Sequence, residues 1–168
     1  MKTKSEHKIF LDKVISLAVK NVRENEGGPF AALVVRNGKI ISCGYNSVTA
    51  KNDPTLHAEI DAIRKASKKL KTFDLSGCVL YSSCCPCPMC FSAIYWANIR
   101  TIYYGAEKET VAKYGFRDLK IYNELKSGEF TIKMQKINTD NTDKPFTAWK
   151  NKKIKLNTSS IEAGKLGS

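Results

Sequence analysis

The sequence predicts one α/β domain in which a sheet is packed between helices. Three observations carry this prediction. Segments with helical periodicity alternate along the chain with short runs of β-branched and aromatic residues. An Asn-Gly pair joins two of these runs, which is typical of a β-hairpin. The 168 residues, of which 42% are hydrophobic, are enough for one sizeable core.

The first elements are a helix and a hairpin. A helix is predicted over residues 6–24, where apolar side chains recur at near i, i+3 or i+4 spacing. The Gly-Gly-Pro sequence at 27–29 ends this helix. Asn37-Gly38 then lies between two β-branched runs, so strand 30–36 is expected to pair with strand 39–45.

A second helix is predicted to include residues 57–70. Asp53 and Pro54 supply its start signal, because aspartate caps helices and proline suits the first helical position. The sequence of residues 78–83, CVLYSS, is rich in strand-forming side chains and predicts the third strand.

The second half of the chain continues the alternation. Its predicted elements are a helix from Pro88 to Asn98, a strand at 101–106, a helix at 118–125, a strand at 130–137 and a helix at 145–151. The strand at 130–137 rests on the alternation in FTIKMQKI, and it would be the fifth in the sheet. Residues 154–168 are mostly small and polar, and we expect them to form a disordered tail.

The charge and the termini bear on location and partners. No apolar run approaches the ~20 residues of a membrane span, and the N-terminus lacks the apolar segment of a secretory signal, so we expect a cytoplasmic protein with reduced thiols. The net charge is +12, with lysine clusters at 64–71 and 150–155. Aromatic residues do not alternate with these lysines as they do in single-strand-binding surfaces. The charge alone therefore does not establish a nucleic-acid partner.

Four of the six cysteines lie within the segment 84–90, where a disulfide, a metal site and a redox pair are the candidates. Pro86 disfavours a helical turn that would join Cys84 to Cys87. Pro88 instead suits the first position of a helix that Cys87 caps, so Cys87 and Cys90 point the same way from a helix N-terminus. The helix dipole favours thiolates there, and thiolates bind metals. Cys84 and Cys85 are then bystanders.

Two thiolates need further ligands to form a metal site, and the chain has only two histidines. His7 is expected to be a surface residue. His57 is followed by Glu59, and the combined pattern H-x-E…P-C-x-x-C is typical of zinc-dependent deaminases. Positions 57 and 59 are about 200° apart around a helix, so their side chains can converge only ahead of its N-terminal end.

The predicted metal ligands are therefore His57, Cys87 and Cys90, while Glu59 stays unligated for proton transfer. A catalytic zinc site keeps a fourth position for water, whereas a structural site is closed by four protein ligands. A structural site closed by Cys85 or Cys43 remains an alternative. A redox C-x-x-C leaves His57 and Glu59 unexplained.

The chain resembles the cytidine/deoxycytidylate deaminase superfamily and, within it, the bacterial guanine deaminases. The resemblance rests on GGPFAALVV, NSVTAKNDPTLHAE, YSSCCPCPMC, AIYWA, GFRD and PFTAW, and it covers about residues 5–152. It implies a three-layer α/β/α fold with a mixed five-stranded sheet, a deaminase domain over residues 1–153 and one zinc ion per subunit. It also implies hydrolysis of guanine to xanthine and ammonia.

The resemblance further implies roles for individual residues. Asn46 would bind the purine, and Asp118 would contact the region of the exocyclic amine and assist proton transfer. Phe30 and Trp96 would form walls of the pocket. Backbone N–H groups near Ala58 and Cys87 would hold the developing oxyanion.

Two features of the C-terminal region also follow from the resemblance. The segment 145–153, with Phe146 and Trp149, would be a lid that swaps between the subunits of a homodimer. The sequence departs from the family at Cys85, where relatives commonly have Glu, and at Ala31, where Gly is usual. We expect Ala31 to tighten the pocket.

Two rival functions remain open. The charge of +12 motivates a deaminase that acts on a base in RNA, such as a tRNA adenosine deaminase. A non-catalytic binding module stabilised by a closed zinc site is the second rival. The sequence does not reveal the preference among amino-purines and triazines.

Overall fold

A computed structural model describes residues 4–24, 27–137 and 139–151. The chain divides into two compact units, with the boundary between Glu129 and Phe130. The first unit contains a sheet and most of the helices. The predicted tail, residues 154–168, lies outside the described residues, as do the last two residues of the predicted domain at 152–153.

The first unit is built around a mixed four-stranded sheet with the order β2-β1-β3-β4. The strands are β1 (Ala31–Arg36), β2 (Lys39–Tyr45), β3 (Cys78–Cys84) and β4 (Thr101–Ala106). The hairpin β1–β2 is antiparallel and turns at Asn37-Gly38, as predicted, with both residues at positive φ. β1 also pairs antiparallel with β3, whereas β3 and β4 are parallel.

Helices cover both faces of this sheet. The elements are α1 (Lys4–Arg23), α2 (Val48–Lys51), α3 (Ala58–Leu70), α4 (Pro88–Trp96), α5 (Lys108–Ala112) and α6 (Asp118–Ser127). Alternation along β1 separates two cores. Ala32 and Val34 pack with α3 and α4, whereas Leu33 and Val35 pack with α1. The predicted three-layer α/β/α arrangement is thus present in the first unit.

The α3 helix lies unusually close to β2. A Cβ atom on Gly44 would lie 2.1 Å from the Ala58 oxygen and 2.3 Å from the Ala62 nitrogen, so only glycine fits there. The buried face of α3 presents alanines, which permit this approach. Ser42 Oγ also donates a hydrogen bond to the Ala62 oxygen at 2.7 Å, which adds a polar contact between the strand and the helix.

The predicted start of α3 is wrong by four residues. Asp53 does not cap the helix, because its Oδ1 accepts hydrogen bonds from the backbone and the hydroxyl of Thr55 in a local turn. The helix begins at Ala58, with His57 as the residue before it in an extended conformation. The short helices α2 and α5 were also not predicted.

The predicted fifth strand is absent. Residues 130–137 have no strand pairing, and each of them is exposed. Alternation alone does not make a strand, because a strand also needs a partner with which to share its backbone hydrogen bonds. The second unit, as far as it is described, contains one helix, α7 (Lys144–Asn151), which agrees with the prediction of a helix over 145–151.

His7 is not the free surface residue that was expected. It lies on α1, its Nδ1 is 2.7 Å from the hydroxyl of Tyr81, and its ring stacks on Tyr103 with centroids 4.0 Å apart. His7 therefore helps to hold α1 against the sheet. None of the helices in the described part of the chain combines the length and apolar character of a membrane span.

Replacement of Gly44 by alanine should destabilise the protein by about 2–4 kcal/mol, because β2 and α3 must separate to admit the methyl group. Gly77→Ala is a matched control, because a Cβ atom there meets nothing within 4 Å. The only cost of that substitution is the strain of placing alanine at a φ of +76°. That control should cost about 1–2 kcal/mol. Urea unfolding measures both, Gly44→Ala should cost clearly more than Gly77→Ala, and a cost no larger than that of the control would contradict the assigned contact.

Candidate active site and metal centre

The N-termini of α3 and α4 meet beside the end of β3. His57 immediately precedes α3, and Cys87 immediately precedes α4, which has proline at its first position, as predicted. Cys90 lies in the first turn of α4 and is fully buried. Both helix N-termini favour negative charge, so the site suits thiolates and a carboxylate.

The three predicted ligands lie at distances that suit a zinc ion. The donor atoms of His57, Cys87 and Cys90 are all within 4.8 Å of one another. His57 Nδ1 lies 3.6 Å from Cys87 Sγ. Two ligands at normal zinc distances, about 2.3 Å for sulfur and about 2.0–2.1 Å for nitrogen, are about 3.5 Å apart across a tetrahedral angle. The residue types and the His57–Cys87 distance therefore suit zinc.

Neither proposed fourth ligand belongs to this cluster in the described part of the chain. Cys43 packs against the core on the α1 side of the sheet, the opposite face from α3. The Cys85 backbone N–H donates to the Ala106 oxygen at 2.8 Å, and its Sγ lies 3.9 Å from the Pro86 oxygen. A closed structural site is thus disfavoured, and a zinc ion held by the three clustered residues would keep a position for a small molecule.

Glu59 provides a buried carboxyl group next to the metal ligands. Its side chain is only 4% exposed. Ser82 Oγ donates to Glu59 Oε1 at 2.8 Å, and Cys90 Sγ lies 3.4 Å from Glu59 Oε2. Burial raises the pKa of Glu59, because desolvation disfavours the carboxylate. A carboxyl group with a raised pKa is suited to accept and return a proton near neutral pH.

His57 and Glu59 are not both helical, contrary to the prediction that set them about 200° apart on one helix. His57 has extended backbone, with φ −73° and ψ 157°. The two side chains still converge near the N-terminus of α3. They do so because the helix begins at Ala58, between the two residues, so the rotation of about 100° per residue of a helix does not apply to His57.

The two cysteines influence each other strongly. Hydrogen bonding from Cys90 and from His57 lowers the pKa of the Cys87 thiol, and burial opposes this effect. Cys87 is therefore favoured as a thiolate, the form that binds metal. Cys84 behaves differently, because burial raises the pKa of its thiol and keeps it protonated.

A cavity of about 450 Å³ opens onto this centre, a size that suits a small-molecule ligand. Its lining includes the predicted site residues Phe30, Asn46, His57, Glu59, Cys87 and Asp118. Several further lining residues were not predicted as site residues from the sequence: Gly28, Val48, Thr49, Pro54, Cys84, Met89, Phe116, Arg117 and Ile121. Most of these residues belong to loops or to the first turns of helices. In such segments the sequence pattern carries little information on where a side chain points.

Asn46 is held in one orientation at the cavity wall. Its Oδ1 accepts hydrogen bonds from the backbone N–H groups of Gly28 at 3.2 Å and Val48 at 3.4 Å. Because both partners are donors, the oxygen must face them, and the amide nitrogen is left as a donor for the cavity. Asn21 of α1 holds the backbone on both sides of this contact, because its Nδ2 donates to the backbone oxygens of Gly28 and Asn46.

Asp118 and Phe30 lie on other parts of the same wall. Asp118 is the first residue of α6, after Arg117 at the cap position, and it is half-buried. Burial raises the pKa of its carboxyl group, and the nearby Cys87 acts in the same direction. The Phe30 ring meets Phe116 edge-to-face, with centroids 4.7 Å apart, which fixes its position.

The lining of this cavity does not include Trp96, Ala31 or Ala58. Trp96 lies at the end of α4 with its side chain 69% exposed, and its role as a pocket wall stays a prediction. Ala31 is buried against the α1-side core and does not narrow the cavity. Ala58 is fully buried at the start of α3, so its backbone N–H is what it can offer a ligand. Trp149 belongs to the second unit, and its role stays a prediction.

The zinc content of cysteine-to-serine variants should distinguish the metal ligands from the other cysteines. We expect Cys87→Ser and Cys90→Ser to lose most of the bound zinc, because serine is a poor ligand when it replaces a thiolate. Cys85→Ser and Cys43→Ser should keep one zinc ion per chain. Metal analysis after gel filtration measures this, and zinc loss in Cys85→Ser would restore the closed-site alternative.

Comparisons with known proteins agree with this geometry. The family described as "Cytidine and deoxycytidylate deaminase zinc-binding region" matches residues 4–106. A guanine deaminase of Bacillus subtilis is 46% identical over 147 residues, which cover 86% of this chain and 94% of that protein. The crystal structure of guanine deaminase from the same organism matches with a TM-score of 0.83 over 86% of this chain and 94% of that one.

More distant relatives share part of the chain. A tRNA-specific adenosine deaminase of Buchnera aphidicola is 38% identical over 66% of this chain and 72% of its own length. A guanine deaminase structure from Nitrosomonas europaea is 35% identical, with a TM-score of 0.62 over 65% of this chain and 63% of that one. The matched region carries the zinc ligands and Glu59, and this protein belongs to the cytidine and deoxycytidylate deaminase family.

Proposed function

We propose that this protein is a zinc-dependent guanine deaminase, which hydrolyses guanine to xanthine and ammonia. The observation that carries the proposal is a three-residue zinc site with an unligated, buried carboxyl group beside it, both open to a cavity of about 450 Å³. Similarity to the Bacillus subtilis guanine deaminase over 86% of the chain supports guanine as the substrate.

The residues around the cavity divide the reaction between them. When zinc is bound by His57, Cys87 and Cys90, it supplies a Lewis acid that makes water more acidic. Glu59 accepts a proton from the attacking water molecule, whose oxygen forms a bond to C2 of guanine. Glu59 delivers this proton to a ring nitrogen, and it then takes the second proton from the hydroxyl group now at C2 and delivers that proton to the amino group. The C2–N bond breaks, and ammonia leaves while the carbonyl of xanthine forms.

Substrate orientation falls to the cavity wall. The Asn46 amide nitrogen donates to an acceptor on the purine, and its oxygen stays bound to the protein backbone. Asp118 contacts the region of the exocyclic amine, where its raised pKa suits it to exchange protons. Phe30 provides a flat apolar surface for the ring. Backbone N–H groups at Ala58 and Cys87 stabilise the negative charge that develops on oxygen.

A deaminase that acts on a base in RNA is the second candidate. Its support is the net charge of +12 and the relative of 38% identity that is named as a tRNA-specific adenosine deaminase. That relative matches 66% of this chain, however, against 86% for the guanine deaminase. The greater coverage favours a free purine base over an RNA substrate.

The decisive experiment offers purified, zinc-loaded protein free guanine and a tRNA substrate in parallel. We expect loss of guanine absorbance, equimolar xanthine and ammonia, and no turnover of the tRNA. Glu59→Gln should lower kcat by about 10² to 10⁴, because it removes the proton carrier, while zinc content is unchanged.

The controls separate the rivals. Turnover of tRNA with none of guanine would support the RNA deaminase. No turnover of any amine in a panel of bases and nucleosides, together with a Glu59→Gln variant that behaves like wild type, would support the non-catalytic module. The same panel measures the preference among amino-purines and triazines.

We also propose that the protein forms a homodimer through α4. This helix is apolar on nearly every side, a pattern typical of a helix buried on all faces. Nevertheless, Phe91, Tyr95 and Trp96 are 56%, 55% and 69% exposed in the single chain. A second copy that covers this surface, which we call the α4 face (Met89, Phe91, Tyr95 and Trp96), would remove these side chains from water.

Light scattering coupled to gel filtration tests the homodimer. We expect a dimeric mass for wild type and a monomeric mass for Phe91→Glu, because a charge cannot be buried unpaired at an apolar interface. Phe73→Glu is the matched control, since Phe73 is also 56% exposed but lies outside the α4 face. A monomeric wild type, or equal masses for both variants, would refute the α4 interface.

Two predictions from the sequence stay predictions. The first is that segment 145–153, with Trp149, is a lid that swaps between subunits. The second is that the protein is cytoplasmic.

A further inference from the structure

Ser82 is a buried hydroxyl on an otherwise apolar face of the sheet. It lies on β3, and alternation puts it on the same face as Cys78 and Leu80, which belong to the core beneath α3 and α4. The Ser82 residue is only 1% exposed. A polar group in this position costs stability unless it has a partner, so its partner indicates its role.

That partner is the carboxyl group of Glu59. Ser82 Oγ donates to Oε1 at 2.8 Å, and both side chains are buried. The other oxygen, Oε2, lies 3.4 Å from Cys90 Sγ. The Ser82 hydroxyl keeps its proton near neutral pH whatever the charge of its neighbours. Ser82 is thus the stable side-chain donor to this carboxyl group.

We propose that Ser82 is a positioning residue for the reaction, and that it holds Glu59 Oε1 so that Oε2 faces the metal site. This inference rests on the proposed function of Glu59 as the proton carrier. Without the Ser82 hydroxyl, the carboxyl group can rotate about its last bond, and the fraction of molecules with an oxygen aimed at the attacking water falls. The loss should appear in kcat, because substrate contacts at Asn46 and Phe30 are not altered.

Threonine and valine give the sharpest test, because they have the same shape and differ only in the hydroxyl group. We expect Ser82→Thr to retain kcat within about threefold and Ser82→Val to lose about 10- to 100-fold, the usual effect of removing a group that orients an active-site residue. KM and zinc content should be similar in the two variants.

Ser42→Ala supplies a control for a purely structural effect. Ser42 is also a buried serine that donates to α3, but its acceptor is the backbone oxygen of Ala62. Its replacement should lower the melting temperature and leave kcat unchanged. Ser82→Ala provides a second comparison if the extra methyl group of threonine is not accommodated, and it should match valine in kcat.

A readout that does not depend on turnover completes the design. The infrared carboxyl band of Glu59, assigned by its disappearance in Glu59→Gln, should shift in Ser82→Val but not in Ser82→Thr. Equal kcat values for the threonine and valine variants, or an unshifted band, would overturn the role of Ser82. If wild type fails to deaminate guanine, the proposed function fails, and the infrared band still decides whether Ser82 orients Glu59.

Discussion

The close contact between β2 and the first turns of α3 is the constraint on which the site depends. The helix backbone lies where a side chain on Gly44 would be, so the position of α3 is set by hard contact and not by flexible side chains. Because His57 and Glu59 lie at its N-terminus, their positions relative to α4 follow from backbone packing.

The centre concentrates groups that are individually unfavourable in a protein interior. A buried carboxyl group and two cysteines that bind metal as thiolates lie within a few ångströms of each other, and their negative charges repel. Helix N-termini, the Ser82 hydroxyl and a divalent cation offset this repulsion. Such an arrangement costs stability. It also raises the pKa of the carboxyl group, which allows that group to change its protonation state during turnover.

The parts of this structure that could be predicted from sequence are those that local chemistry determines. Pro88 and Cys87 specify a helix start within a few residues, and Asn37-Gly38 specifies a hairpin, so both predictions were confirmed. Asp53 was misread because its oxygen has two possible local partners, a helix and Thr55, and the sequence does not rank them. Roles such as those of Ser82 and Gly44 depend on elements distant in the chain, and the strand predicted at 130–137 failed for the same reason.

The ligands are divided between two helices, with His57 and Cys87 30 residues apart along the chain. A cation held by both helices acts as a cross-link that the unfolded polypeptide cannot reproduce with the same affinity. By mass action, the free energy of unfolding then rises with the concentration of available metal. Scarcity of the ion would therefore lower the folded fraction of the protein as well as the fraction of folded molecules that hold zinc.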